Sequence, residues 1–253
     1  MISFTEQQLL GWITAWLLPF FRILGLFAAA PIFSSRTIPA RAKLALAAVL
    51  AIVISPFSNL PVGFTLVNNA AWGAVVREIL IGVSIGFLTR LILLVFELAG
   101  ELIGLQIGLS YAGYFAPGAG HGNAVGVFTG TIASWLFVTM SGPVLLIGCL
   151  IHSYQKFPAG LGLPQTKGLD PQRIIVLLGD VFGMAVVLAL PVIVLLLLVN
   201  FAMGVATKVA PQLNLFAVGF PILILCGLGM LSMIIPLFEP LMVKGLGKAF
   251  SLW

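Results

Sequence analysis

Charged residues are scarce in this sequence. They make up 8% of its 253 residues, whereas ordinary soluble domains contain about 25%. Hydrophobic residues account for 61%, the mean hydropathy is +1.20, and apolar runs of about 20 residues, the length of a membrane-spanning helix, recur along the chain. These values exclude a water-soluble globule. They predict an all-α membrane protein in which residues 1–253 form a single helical integral membrane domain.

Residues that carry out catalysis are also few. The two histidines are His121 and His152, the two cysteines are Cys149 and Cys226, and no HExxH pattern is present. The C-terminal segment KGLGKAF lacks the first glycine and the final Ser or Thr of a phosphate-binding loop. We therefore expect no enzymatic activity, no cofactor and no metal site. The net charge of +5 is spread thinly instead of forming a basic patch, which argues against a nucleic acid partner.

Seven apolar stretches can be drawn, at residues 12–33, 40–57, 70–96, 98–115, 125–151, 174–203 and 213–238. If all seven cross the bilayer, the positive-inside rule places the N-terminus outside and the C-terminus in the cytoplasm. Several stretches contain prolines or charges, which cost several kcal/mol at membrane depth unless protein or water surrounds them. We therefore expect many of these helices to pack against protein as well as against membrane lipid.

Five charged residues fall inside or between these stretches and are predicted to be polar intramembrane sites: Arg22, Arg77, Glu97, Glu101 and Asp180. Arg22 is too central to reach the membrane surface, so it requires a buried carboxylate or carbonyl partner in this chain or in another subunit. Glu97 and Glu101 are four residues apart and share a helical face, where like charges repel. They mark either a polar track near a channel or a helix end at the membrane surface.

Glycines recur every fourth residue in two runs, a spacing that lets helix backbones approach closely. One run is Gly100, Gly104 and Gly108, and the other is Gly122, Gly126 and Gly130. The pattern predicts helix packing at these positions. Ordinary packing within the chain explains it as well as packing between subunits does.

The segment GLSYAGYFAPGAGHGN, residues 108–123, is the least ordinary in the chain. Tyr111 and Tyr114 share a helical face and Phe115 follows them. A backbone broken at membrane depth is tolerated where it lines a cavity or is covered by protein. The segment is therefore either a mobile aromatic plug in a pore or a surface hairpin with interfacial tyrosines. Its hinge residues would be Gly113, Pro117, Gly118, Gly120 and Gly122.

Three stretches carry a resemblance to a known family: APIFSSRTIPARAKLALA, GELIGLQIGLSYA and NFAMGVATKVAPQLNLFAVGFP, at residues 30–47, 100–112 and 200–221. Over nearly its full length the chain resembles the FliR family of flagellar export-gate membrane proteins. The resemblance implies kinked helical hairpins packed into a hetero-oligomeric helical gate in the bacterial inner membrane, at the flagellar basal body. It also implies that part of that gate lies above the membrane plane.

The resemblance also implies partners and a role for the glycine-rich segment. The partners are the P-type and Q-type flagellar export-gate proteins, a cytoplasmic export apparatus membrane protein and unfolded flagellar substrates. The family's plug loop maps onto Tyr111, Tyr114 and Phe115. Ala116 stands where members commonly have an acidic residue, and Pro143 stands where they often have histidine. An injectisome homologue is an alternative, and a secondary transporter is a less favoured one.

Overall fold

The computed structural model describes residues 5–35, 38–58, 60, 70–109, 123–160, 171–209 and 215–251. Every regular element within those ranges is helical. Five of the described helices are long and apolar enough to cross a membrane, and a sixth span results if a bent pair is counted as one. The predicted all-α membrane class is therefore confirmed.

The described residues form eight α-helices and two 3-10 turns. Ser55–Phe57 is the 3-10 turn after α2, and Ile235–Leu237 is the one before α8. The α-helices are α1 Glu6–Ala29, α2 Ala40–Ile54, α3 Ala70–Ile107, α4 Ala124–Thr139, α5 Gly142–Lys156, α6 Pro171–Val209, α7 Leu215–Ile234 and α8 Phe238–Phe250.

The predicted count of seven apolar stretches is wrong at α3, which joins the third and fourth stretches in one helix of 38 residues. Glu97 was the predicted break, but glutamate is a good helix former and no proline interrupts this segment. At 1.5 Å per residue α3 is about 57 Å long, whereas the hydrocarbon core of a bilayer is about 30 Å thick. The orientation inferred from seven alternating spans is therefore not retained.

The chain divides into two compact units. The first consists of Met1–Arg90, Val138–Ile175 and Leu246–Trp253, and the second consists of Leu91–Phe137 and Val176–Gly245. The single domain predicted for residues 1–253 remains a prediction.

In the first unit, a proline inside α1 shapes the packing of α1 against α2. Pro19 has no N–H to donate to the carbonyl of Ala15, four residues earlier. Ser55 Oγ donates to that carbonyl instead, at 2.9 Å. Trp16 Nε1 adds a second link by donating to the carbonyl of Ala48 at 3.2 Å. The hydrogen bond lost to proline is thus replaced by one that joins two helices.

In the second unit, α6 buries a single stripe. Val181, Ala185, Leu188, Val192 and Leu196 are buried, and their spacing of three to four residues places them on one side of the helix. Many large apolar side chains elsewhere on α6, among them Val187, Leu198 and Phe201, are exposed in this chain. The unit also contains a contact between the rings of Phe96 and Phe238, whose centroids are 4.7 Å apart.

Candidate functional site

Arg22 lies at the centre of a buried polar cluster in the first unit. Its Nε donates to Glu78 Oε2 at 2.6 Å, and both side chains are fully buried. The two terminal nitrogens donate to Ser153 Oγ at 2.9 Å and to the carbonyl of Phe157 at 2.8 Å. The guanidinium carbon lies 3.7 Å from the ring centroid of Tyr154. The predicted requirement for a carboxylate or carbonyl partner is therefore met twice, within the same chain.

This geometry ties α1 to α3, to α5 and to the turn after α5. A charge at such a site is tolerable only when it is paired and when its donors are satisfied. Guanidinium suits the position because its planar fork directs several donors at once and also stacks on an aromatic face. The cluster therefore acts as a structural junction of the first unit.

Glycines allow α1 and α3 to come close enough for this junction. A Cβ atom on Gly82 would overlap the backbone carbonyl of Arg22, and one on Gly25 would overlap the carbonyl of Ile79. On Gly86, a Cβ would fall 2.6 Å from the backbone nitrogen of Ala30. Since all three neighbours are backbone atoms, a side chain at any of these positions would push the helices apart.

The cluster includes residues that the sequence analysis did not select. Glu78 is one residue beyond Arg77, which was selected and which is itself buried. Ser153 and Tyr154 lie 131 and 132 positions from Arg22 in the chain. The only signal for Glu78 was an acidic residue inside an apolar stretch, and no local signal marked the other two.

The remaining charged residues from the sequence analysis do not join this cluster. Glu97 is exposed and Glu101 is half-buried, both within α3 and before its end at Ile107. They therefore do not mark the end of a helix. Asp180 is half-buried on α6.

The glycine runs lie where α3 meets α4 in the second unit. A Cβ on Gly100 would overlap Thr129 Oγ1, and one on Gly126 would lie 2.7 Å from Glu101 Cγ. At Gly130 the nearest atom would be Glu97 Cβ at 3.5 Å, an ordinary contact. Close packing thus requires glycine at the first two positions and leaves space at the third.

Gly104 and Gly108 occupy the end of α3. A Cβ on Gly104 would overlap the side-chain amide of Asn123. Gly108 lies just beyond α3 with φ of 89°, and the N–H groups of Gly108 and Leu109 donate to the carbonyls of Leu105 and Gly104 at 3.1 Å. This pattern is a Schellman cap. Gly108 therefore ends the helix instead of extending its packing face.

The predicted plug and its hinges lie outside the described residues, in the segment between Leu109 and Asn123. These residues are Tyr111, Gly113, Tyr114, Phe115, Pro117, Gly118, Gly120 and Gly122. The described structure provides the two ends from which that segment starts and to which it returns.

Comparisons with known proteins extend over most of the chain. Residues 13–249 match the family model of the bacterial export proteins, family 1. The flagellar biosynthetic protein FliR of Pectobacterium carotovorum subsp. carotovorum is 34% identical, covering 100% of this chain and 96% of that protein. FliR of Escherichia coli strain K12 is 35% identical with the same coverage. FliR of Bacillus subtilis strain 168 is 27% identical, over 82% of this chain and 81% of its own length.

Proposed function

The chain belongs to family 1 of the bacterial export proteins, the family of the flagellar biosynthetic proteins FliR, and from this premise we propose that it is a non-enzymatic core subunit of the flagellar type III protein export gate. It forms part of the channel through which unfolded flagellar proteins cross the inner membrane. The observation that supports this proposal most strongly is the match of residues 13–249 to the family model.

The exposed surface of the helices supports assembly with other subunits. α6 is 39 residues long, about 58 Å, and therefore exceeds the hydrocarbon thickness of about 30 Å. Apolar side chains are exposed near both ends, with Ile175 at 66% and Val209 at 82%. A helix of this length needs apolar neighbours beyond the lipid. P-type and Q-type gate proteins supply them, in a complex partly raised above the membrane plane at the flagellar basal body.

The segment between α3 and α4 supplies the plug. Tyr111, Tyr114 and Phe115 close the channel with their rings, and the neighbouring glycines and proline let the rings move aside for a substrate. The family resemblance of residues 100–112 supports this assignment. The cap at Gly108 supports it too, because α3 ends before the aromatic residues.

Native mass spectrometry tests the assembly. The chain is tagged and co-expressed with the membrane proteins encoded beside it, and the complex is purified in detergent. We expect a heteromeric complex in which this chain is joined by two smaller helical proteins. A stable monomer or homodimer without partners would contradict the gate and would favour a transporter.

Ion leakage tests the plug. Replacing residues 110–122 with a Gly/Ser linker of equal length is expected to raise the ion permeability of the inner membrane while the complex still assembles. The triple change of Tyr111, Tyr114 and Phe115 to alanine should leak similarly. The matched control is Tyr111→Phe with Tyr114→Phe, which keeps both rings and should remain closed. A tight membrane in the linker variant would refute the plug.

A further inference from the structure

The helix α2 and the 3-10 turn that follows it have the length of a bilayer. Together they cover Ala40–Phe57, which is 18 residues and about 27 Å, against about 30 Å for the hydrocarbon core. α3 and α6, with 38 and 39 residues, are much longer. Among the five described helices that are long and apolar enough to cross a membrane, this segment is also the least buried. Its surface is therefore the one that fits a bilayer in both length and exposure.

The buried and the exposed sides of α2 differ in the size of their side chains. Ala47 and Ala51 are buried, four residues apart, in a helix that packs against α1. Helix interfaces inside membranes favour small residues, because these let two backbones approach closely. Large branched side chains occupy the exposed side. We call these residues the α2 outer face: Leu46, Val49, Ile52 and Val53.

The two ends of the hairpin formed by α1 and α2 carry residues that are typical of membrane surfaces. At the end where α1 stops and α2 begins, Arg41 is exposed, and Lys43 Nζ donates to the carbonyl of Ser35 at 2.8 Å. Near the opposite end, Trp12 is 59% exposed. From Trp12 to Ala29, the last residue of α1, the helix rises about 26 Å. Basic residues and tryptophan thus lie about one hydrocarbon thickness apart, as in helices that cross a bilayer.

The surface between these two ends is free of charge. Arg22 is the one charged residue between Trp12 and Ala29, and its side chain is fully buried. After Lys43, α2 contains no charged residue. α3, by contrast, exposes both Arg90 and Glu97. Since charges are costly in hydrocarbon, the exposed part of α1 and α2 is suited to acyl chains where that of α3 is not.

We propose that the α2 outer face contacts the acyl chains of the bilayer directly, with Arg41 among anionic phospholipid headgroups of the cytoplasmic leaflet and Trp12 at the opposite membrane surface. Anionic headgroups attract basic residues next to a membrane helix, and the positive-inside rule places the basic end of a hairpin in the cytoplasm. The α2 outer face is thus covered by lipid, whereas α6 is covered by other subunits. The assignment depends on neither the plug nor the channel.

Photo-cross-linking in the assembled complex tests what covers the α2 outer face. A benzophenone side chain is introduced at Ile52 or, as a matched control on α6, at Phe201; these positions are 64% and 73% exposed in the chain. We expect the Ile52 position to gain the mass of one phospholipid on illumination in native membranes, and the Phe201 position to join another protein chain. Adducts from Ile52 mainly to a protein would overturn the lipid contact and leave the gate intact. Lipid adducts alone from Phe201 would contradict only the coverage of α6 by subunits.

Cysteine labelling in cells tests the orientation of the hairpin. In a chain whose Cys149 and Cys226 are replaced by alanine, Leu9→Cys and Ala42→Cys place one exposed thiol near each end. A maleimide that does not cross the inner membrane should label Leu9→Cys once the outer membrane is permeable. It should label Ala42→Cys only after the inner membrane is opened. A protected thiol in Leu9→Cys, or a labelled one in Ala42→Cys while the inner membrane is closed, would overturn the orientation.

Lipid selectivity tests the role of Arg41. The complex is exchanged into bilayers of equal phosphatidylglycerol and phosphatidylcholine, and the lipids that it retains are weighed by native mass spectrometry. Arg41→Gln should lower the retained ratio of phosphatidylglycerol to phosphatidylcholine about fivefold, which corresponds to about 1 kcal/mol. Arg41→Lys keeps the charge and should keep the ratio. An unchanged ratio in Arg41→Gln would refute the contact with anionic headgroups.

Discussion

Removing Arg22 alone should destabilise the first unit more than removing Arg22 together with Glu78. In Arg22→Met the carboxylate of Glu78 stays fully buried and loses its 2.6 Å partner. Breaking a buried ion pair from one side costs about 3 to 5 kcal/mol, whereas replacing both charges with apolar groups often costs little. The double variant Arg22→Met with Glu78→Leu should therefore be more stable than Arg22→Met by at least about 1 kcal/mol.

The assay is chemical denaturation of the purified chain in mixed detergent micelles, followed by tryptophan fluorescence. Trp16 reports on the first unit directly, because it lies on α1 and bonds to Ala48 of α2. The control is Arg90→Met, since Arg90 is exposed on the same helix that carries Glu78. The control should change the free energy of unfolding by less than about 0.5 kcal/mol.

Two results would refute this reasoning. In the first, Arg22→Met matches Arg90→Met, which would show that leaving the buried Glu78 carboxylate without its partner carries no cost. In the second, the double variant loses as much free energy of unfolding as Arg22→Met and Glu78→Leu lose together when each is made singly. Additivity of that kind is typical of residues that do not interact, and it would contradict the geometry of the cluster.

Two further predictions concern backbone contacts in the first unit. Ser55→Ala should cost about 1 kcal/mol in the free energy of unfolding, because it leaves the carbonyl of Ala15 without its donor. Pro19→Ala should offset that loss in the same assay by restoring an N–H within α1, and no recovery would contradict this account of Pro19. Gly82→Ala should lower the yield of folded chain in size-exclusion chromatography, whereas Gly73→Ala, with open space around it, should not. Equal yields would refute the close approach of α1 and α3.

The fold class could be predicted because it depends on composition and on the lengths of apolar runs, which are local properties. The helix boundaries were harder to predict. Glu97 interrupts the apolar pattern but not the helix, since a charge changes hydropathy without changing φ and ψ. Gly108 continues the four-residue spacing but adopts φ of 89°, and spacing alone does not distinguish a packing glycine from a capping one.

The requirements of Arg22 were predictable, but its partners were not. A charge in an apolar stretch must be compensated, which is a general rule. Glu78 and Ser153 are 56 and 131 positions away in the chain, and only the tertiary packing brings them to the guanidinium. The contacts of Asn123 could not be predicted from the sequence for a related reason. An asparagine after a run of glycines looks like part of a turn, and its contact with Gly104 exists only once α3 and α4 are paired.

The length of α6 has a consequence for how the cell handles this chain. Even at a tilt of about 40°, a helix of about 58 Å covers about 45 Å along the membrane normal, so roughly a third of it emerges from the hydrocarbon. A newly synthesised copy without neighbours therefore presents bare apolar helix to water. Chaperones and proteases remove chains of this kind. The steady-state amount of the chain should accordingly follow the supply of the partner proteins that we propose to cover α6, and surplus copies should be degraded.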